Sequence, residues 1–213
     1  MNKIEKPIIL AICGKSASGK DTLSIFLTNF LKSHGIPAHN VVSVTTRPPR
    51  DKEQSGKSYY FVNDEQFHYL IENNKLIEFT KFRDWYYGVP YQEIESDKIN
   101  IGVFNPRGLE NLRRQHIQFH VIPIYLEEKL ITRLRRSHDR EGKWKLEYLR
   151  RLIADHFAFK GIEKKLKVLN NGKVIRLKNS SGVWKQSLEI KSLLIRWGVL
   201  IEDGDNLRLG NFV

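Results

Sequence analysis

The segment Gly14-Lys15-Ser16-Ala17-Ser18-Gly19-Lys20, set between an apolar run and a helical pattern, constrains this chain more than any other feature. Ile8-Ile9-Leu10-Ala11-Ile12-Cys13 has the unbroken apolar character of a strand buried on both faces, and Gly14 ends it. A helix is predicted from Lys20 to Lys32, with Leu23, Phe26, Leu27, Phe30 and Leu31 on one face and Gly35 placed to cap it. Between strand and helix, glycines let the backbone curl so that successive N–H groups converge, and the helix start adds its positive end. Strand, turn and helix, followed by a further strand over Val41–Val44, open a parallel α/β sheet.

Four residues separate Gly14 from Gly19-Lys20, the spacing of a P-loop. Its amides hold phosphates, and Lys20 can reach the outer phosphates of a nucleoside triphosphate. The hydroxyl residue that usually follows the lysine is replaced by Asp21, with Thr22 next. The plainer alternative is a glycine-rich turn with Asp21 as a helix cap. A second phosphate-binding device follows in Thr45-Thr46-Arg47-Pro48-Pro49-Arg50, with Glu53 and Tyr59 beyond it. Guanidinium forks on a proline-stiffened loop match phosphate bidentately. Two such devices imply two phosphorylated substrates and a phosphoryl group moved between them.

Strands are expected over Tyr59–Val62 and Ile77–Phe82, separated by a helix that Asn63 or Asp64 caps. A short strand over Trp85-Tyr86-Tyr87 precedes a turn at Gly88-Val89-Pro90, which makes residues 43–98 a small β-rich insert. Ile99–Phe104 and Val121–Leu126 are further strands, with a helix opening at Pro106. Leu130–Arg136 starts an arginine-rich helix; the polar stretch Ser137–Lys145 interrupts it before Leu146–Phe159 resumes the helical pattern. A last strand, Val174–Leu177, and a last helix, Val183–Trp197, complete a domain over residues 1–197. Residues 198–213 form a hairpin through Asp203-Gly204-Asp205 or a loose tail.

The net charge of +12 calls for a polyanionic partner, and both nucleic acid and nucleotide phosphates answer to it. The single cysteine, Cys13, excludes an internal disulfide framework and fits a reducing compartment. With no apolar run of membrane-spanning length and no signal-like stretch before Pro7, the expected location is the cytoplasm.

Taken together, these segments resemble the guanylate kinases, a family of P-loop nucleoside monophosphate kinases, over Ile8–Phe159 and more weakly over Val174–Trp197. The family pattern of a serine, then TTR-x-x-R-x-x-E, then a tyrosine is met by Ser43, Thr45–Arg47, Arg50, Glu53 and Tyr59. Its later acidic residue and YYG turn are met by Glu78 and Tyr86-Tyr87-Gly88.

The resemblance implies an α/β fold. A P-loop parallel sheet carries helices on both faces, a small β-rich monophosphate-binding insert and a helical, arginine-rich lid over residues 133–151. It implies ATP-dependent, Mg²⁺-requiring phosphorylation of GMP or dGMP. Gly14, Ser16, Ser18, Gly19, Lys20, Asp21, Thr22 and Asn179 would bind ATP. Arg47, Arg50, Tyr59 and Tyr87 would hold the acceptor phosphate. Glu78 would read guanine, whose adjacent N1–H and N2 amino donors suit one carboxylate, and Ser43 would bond O6. Lys20, Arg47, Arg133 and Arg151 are the catalytic candidates; Arg136, Arg140 and Arg150 share the lid pattern, while Arg113, Arg114 and Arg135 read as solvated.

Three positions depart from the family. Val89 stands where it has a hydroxyl beside guanine O6, Asn105 where it has the aspartate that organises magnesium, and Asp21 where it has the P-loop hydroxyl. The metal-organising charge is therefore expected at Asp21, acting through water. Competing readings are a kinase for another nucleoside monophosphate, a non-catalytic guanylate-kinase-like binding module, and a nucleic-acid-binding protein.

Overall fold

The computed structural model describes residues 6–50, 53–82, 84–114, 118–141, 146–162, 166, 174–179, 182–204 and 206–210. β1 (Ile8–Cys13) has only apolar side chains and is buried throughout, so it needs cover on both faces. It is the middle strand of a five-stranded parallel sheet. Its neighbours are β7 (Ile99–Val103) and β8 (His120–Glu127), with β2 (Ala38–Asn40) and β9 (Ile175–Lys178) outermost.

Alternate side chains of β1 enter two cores. Ile8, Leu10 and Ile12 share one with Leu23, Leu27 and Leu31 of α1 (Lys20–Ser33) and Ile190 and Leu194 of α6 (Gly182–Arg196). Ile9, Ala11 and Cys13 share the other with Leu109 and Leu112 of α3 (Pro106–Arg114). Each large side chain fully buried in this way contributes roughly 1.5–3 kcal/mol. Burial also pushes the Cys13 thiol up to about 12, which leaves it an inert apolar group.

Helices α1 and α3 follow adjacent strands, β1 and β7, yet cover opposite faces. The crevice between the C-terminal ends of those strands is thus the switch point at which open α/β sheets receive ligands. Helix α1 ends as expected around Gly35, whose N–H donates to Lys32 O, with Ile36 N–H on Leu31 O, both at 3.0 Å.

The expected strand over Val41–Val44 is not formed: residues 41–43 belong to no strand and only Val44 enters one. β2 ends at Asn40, and β3 (Val44–Thr45) joins a four-stranded sheet with β4 (Tyr60–Phe61), β5 (Leu76–Phe82) and β6 (Trp85–Pro90), in the order β4-β3-β6-β5. Val41 N–H still reaches Ile101 O, and Val42 N–H, which by strand alternation points away from β7, is taken by the Glu93 carboxylate at 2.8 Å. Nor is Gly88-Val89-Pro90 a turn. All three continue β6, with Gly88 opposite Phe79 and Val89 opposite Glu78, and Pro90 lies at the strand end.

Asn63 caps α2 (Asp64–Glu72) in a reciprocal box with Gln66. The helix predicted to stop at Arg136 continues as α4 (Leu130–Glu141), because Ser137 turns into the protein and is buried. Helix α5 (Leu146–Ala158) follows. After α6 the chain forms a hairpin of β10 (Leu200–Asp203) and β11 (Asn206–Leu209). Val199 and Leu200 enter the α1 core, and Leu207 and Leu209 pack on it. No helix among the described residues is long and apolar enough to cross a membrane.

Glu93 ties the two sheets together. Its buried carboxylate accepts from Val42 N–H and, at 2.9 Å, from the Tyr60 hydroxyl in the small sheet, and it meets His39 Nε2 at 3.2 Å. Glu93→Ala leaves those donors without a partner, at about 1–3 kcal/mol for each buried group stranded. A loss of about 2–4 kcal/mol in urea unfolding is expected on that basis. A loss below about 0.5 kcal/mol, the scale of an ordinary surface change, would show that the junction does not depend on Glu93.

Candidate active site

The cleft at the switch point has two ends. Gly14, Ser16, Lys20 and Asp21 line one, and Ser43, Arg50, Tyr59, Glu78, Tyr87 and Asn105 line the other.

At the first end the turn is strained and braced. Ala17 holds φ at 60° and Gly19 at 94°, a left-handed conformation that suits glycine. A Cβ on Gly19 would also lie 2.6 Å from the Asn179 amide nitrogen. Asn179 donates that amide to Ser18 O and accepts from Gln186 Nε2 at 3.1 Å, so it fastens the turn from behind. Ser18 is buried, and its hydroxyl has no partner. Lys20 Nζ donates to Lys15 O at 3.1 Å, while Asp21 and Thr22 are exposed in the first turn of α1.

Two arginines of α4 dock on this turn. Arg133, 6% exposed, donates through Nη1 to Asp155 Oδ2 at 3.0 Å and to Ser16 O at 3.3 Å. Arg136 pairs with Glu128 at 3.0 Å and donates to Ser18 O at 3.3 Å. Asp155 also accepts from Ser16 N–H at 2.9 Å and from the Ser16 hydroxyl at 3.0 Å. Sequence reasoning misses Asp155 and Glu128, since neither stands near the turn in the chain nor in a phosphate-binding pattern. The side chains of Arg140 and Arg151 lie outside the described residues.

The second end rests on the small sheet. Arg47 does not line the cleft; it is buried, and its Nη2 donates to both Glu53 oxygens at 2.9 Å. Glu53 further accepts from Arg50 N–H at 2.8 Å, so one carboxylate sets the shape of the arginine loop. The Arg47 guanidinium lies 5.4 Å from the Tyr59 ring centre. Tyr59 and Tyr87 meet edge to face at 6.2 Å. Burial lifts the Tyr59 phenol well above its ordinary range, which keeps it a hydrogen-bond donor. Ser43 faces the cleft while its carbonyl accepts from Tyr60 N–H.

Glu78 is buried within the lining, and its Oε2 has no partner. Burial alone pushes its carboxyl from the ordinary 4.5 up to about 8. Helix α3 packs on it through Gly108, where a Cβ would stand 2.8 Å from Oε2. A glycine in the first turns of a helix sacrifices helical propensity, and here it leaves room for the carboxylate. Val89, expected to border the base, is instead buried in the core with Ile77 and does not line the cleft. Asn105 caps α3: its Oδ1 accepts from Gly108 N–H at 2.8 Å, and its Nδ2 donates to Thr80 Oγ1 at 2.7 Å.

Residues 4–159 match the family model described as guanylate kinase. Among curated relatives, the guanylate kinase of Ehrlichia ruminantium (strain Gardel) is 39% identical over 48% of this chain and 47% of its own length. That of Ehrlichia chaffeensis is 34% identical over 64% of this chain and 66% of its own. The chain thus spans about half to two thirds of the length of these relatives. The crystal structure of guanylate kinase from Anaplasma phagocytophilum superposes with a TM-score of 0.62 at 21% identity, over 92% of this chain and 88% of that one. That likeness is one of fold.

The raised Glu78 carboxyl makes stability depend on pH. The folded protein keeps this proton at pH values where the unfolded chain has lost it. Its contribution is therefore whole below pH 4.5, declines as pH rises, and is fully lost above about 8. Glu78→Gln, which cannot ionise, should gain stability relative to the parent protein across that window. Parallel stability–pH curves for the two proteins would contradict the assignment.

Proposed function

The chain belongs to the guanylate kinase family, and on that premise we propose that it transfers the γ-phosphoryl group of ATP to GMP or dGMP. Glu78 carries this reading: a carboxylate buried in the cleft with an oxygen left unpartnered suits a ligand that brings its own donors. Guanine brings two, N1–H and the N2 amino group, whereas adenine offers an unprotonated N1 that a carboxylate repels. Ser43 supplies a hydroxyl for O6, and Arg50, Tyr59 and Tyr87 supply donors for the acceptor phosphate.

Phosphoryl transfer asks a protein for alignment and charge neutralisation more than for covalent chemistry. Lys20 exchanges the Lys15 carbonyl for the outer phosphates of ATP, and the turn's amides hold the rest. Arg133 lies close enough to Ser16 to reach a terminal phosphate, and Arg47, oriented by Glu53, reinforces the acceptor loop. Arg151 on α5 is a further candidate. Closure of α4 and α5 would exclude water that otherwise hydrolyses ATP.

Magnesium fits this donor set. No group of three or more His, Cys, Asp or Glu side chains among the described residues forms a protein-only metal cage. Mg²⁺ needs only one or two carboxylates beside phosphates and waters, and Asp21 is exposed where it borders the cleft. Asp21, through water, and the Thr22 hydroxyl would hold it, and the ion when bound neutralises charge on the phosphates. Asn105, with both ends of its amide engaged, is a less suitable partner.

Turnover is expected with ATP and GMP or dGMP in a coupled assay of ADP release that also offers AMP, dTMP and dCMP. Turnover of pyrimidine monophosphates alone would overturn the base assignment. Because guanine needs the ionised carboxylate, kcat/KM for GMP should rise with pH and level off above about 8. Glu78→Gln should be flat over that range and lower by about 1–3 kcal/mol of transition-state binding. Asp21→Ser should raise the Mg²⁺ concentration needed for half-maximal rate, and adding Asn105→Asp should restore part of it. An unchanged magnesium dependence in both variants would reduce Asp21 to a favourable charge at the start of α1.

A further inference from the structure

Asp155 stands on α5, far from the phosphate turn in sequence, yet its carboxylate is seated on that turn. It is 3% exposed and accepts from Ser16 N–H at 2.9 Å, from the Ser16 hydroxyl at 3.0 Å and from Arg133 Nη1 at 3.0 Å. A carboxylate and a phosphate are both oxyanions that seek the same donors, a converging backbone N–H and a guanidinium fork. One N–H makes one strong hydrogen bond, and two anions side by side on it repel. The Asp155 carboxylate on Ser16 and a phosphate on Ser16 are therefore alternatives.

A second observation points to the same exchange. Arg133 Nε is buried and has no partner, so the guanidinium is only partly satisfied by Asp155 and Ser16 O. A donor in that condition is costly, and a tetrahedral phosphate with oxygens to spare can satisfy it. Asp155 thus keeps Arg133 against the turn in nearly the position where a phosphate would meet it.

We propose that Asp155 is a positioning residue that holds the place of the terminal phosphate: it occupies Ser16 N–H and Arg133, and a nucleoside triphosphate must displace it to bind. The proposal rests on the reading of Gly14–Lys20 as a phosphate cradle. Displacement delivers Arg133 to the phosphate and frees α5, so cradle occupancy and lid position become one equilibrium. The cost appears as reduced apparent affinity, by the fraction of molecules in which Asp155 has already left. If the seated form makes up about nine parts in ten, that reduction is about tenfold.

Calorimetry on Asp155→Asn with Mg-ATP, with tripolyphosphate and with GMP tests this. Both triphosphates should bind about tenfold more tightly than to the parent protein, by removal of the competing charge. GMP affinity should not change, and KM for ATP should fall without a rise in kcat. Triphosphate binding that is unchanged or weaker would overturn the proposal and leave Asp155 a structural partner of Arg133. Should Asp155→Asn fail to fold, the parent protein answers by NMR. The Ser16 amide and the Asp155 side-chain carboxyl carbon should shift with one midpoint on adding tripolyphosphate and stay still on adding GMP. A Ser16 shift without an Asp155 shift would overturn the proposal alone. No binding of ATP or tripolyphosphate to the parent protein would overturn the cradle reading, and the proposal with it.

Discussion

The turn that follows β1 is held in a strained backbone conformation, and much of the molecule is arranged around it. Ala17 and Gly19 hold left-handed conformations, and Asn179 fastens the turn through Ser18 O. Helices α4 and α5 are drawn to the same place by charge. Arg133 and Arg136 sit on the turn's carbonyls, and Asp155 sits on one of its amides. The turn therefore serves as the attachment point of two helices, so anything that displaces those contacts acts on the helices too.

The opposite end of the cleft follows another logic. There a buried carboxyl group has an oxygen with no partner among the described residues, at a cost to stability once it ionises, and the surroundings are shaped to allow it. Gly108 gives up a side chain so that Glu78 has room, and Asn105 fixes the start of α3 beside it. The neighbouring Arg47–Glu53 pair shows the contrast: a buried arginine and a partly buried carboxylate are paired with each other. An unsatisfied group such as Glu78 is tolerated where a ligand can complete it.

Local patterns in the chain were legible because their physics is local. The apolar run of β1, the glycine spacing, the Asn63 cap and the closure of α1 at Gly35 each depend on residues a few places apart. The arginine loop and Glu78 could be found from their order along the chain. Long-range competition for donors could not. Val42, which reads as part of a strand, instead gives its N–H to Glu93, some fifty residues on. Val89 reads as a base contact until the pleat of β6 turns it to the core. Arg47 reads as open to ligand until Glu53 claims it. Asp155 meets Ser16 across 139 positions of sequence, and no pattern around either residue announces the other.

The hairpin that follows α6 bears on the order in which the chain can be made and folded. Val199 and Leu200 are buried in the core they share with β1 and α1, segments made long before the hairpin. That core thus stays incomplete until residues near 200 have emerged. At a synthesis rate of about 5–20 residues per second, that leaves the core without its last apolar side chains for on the order of ten seconds. During that interval the nascent chain is a natural client for factors that shield apolar surface, and cleavage ahead of the hairpin would make the exposure permanent.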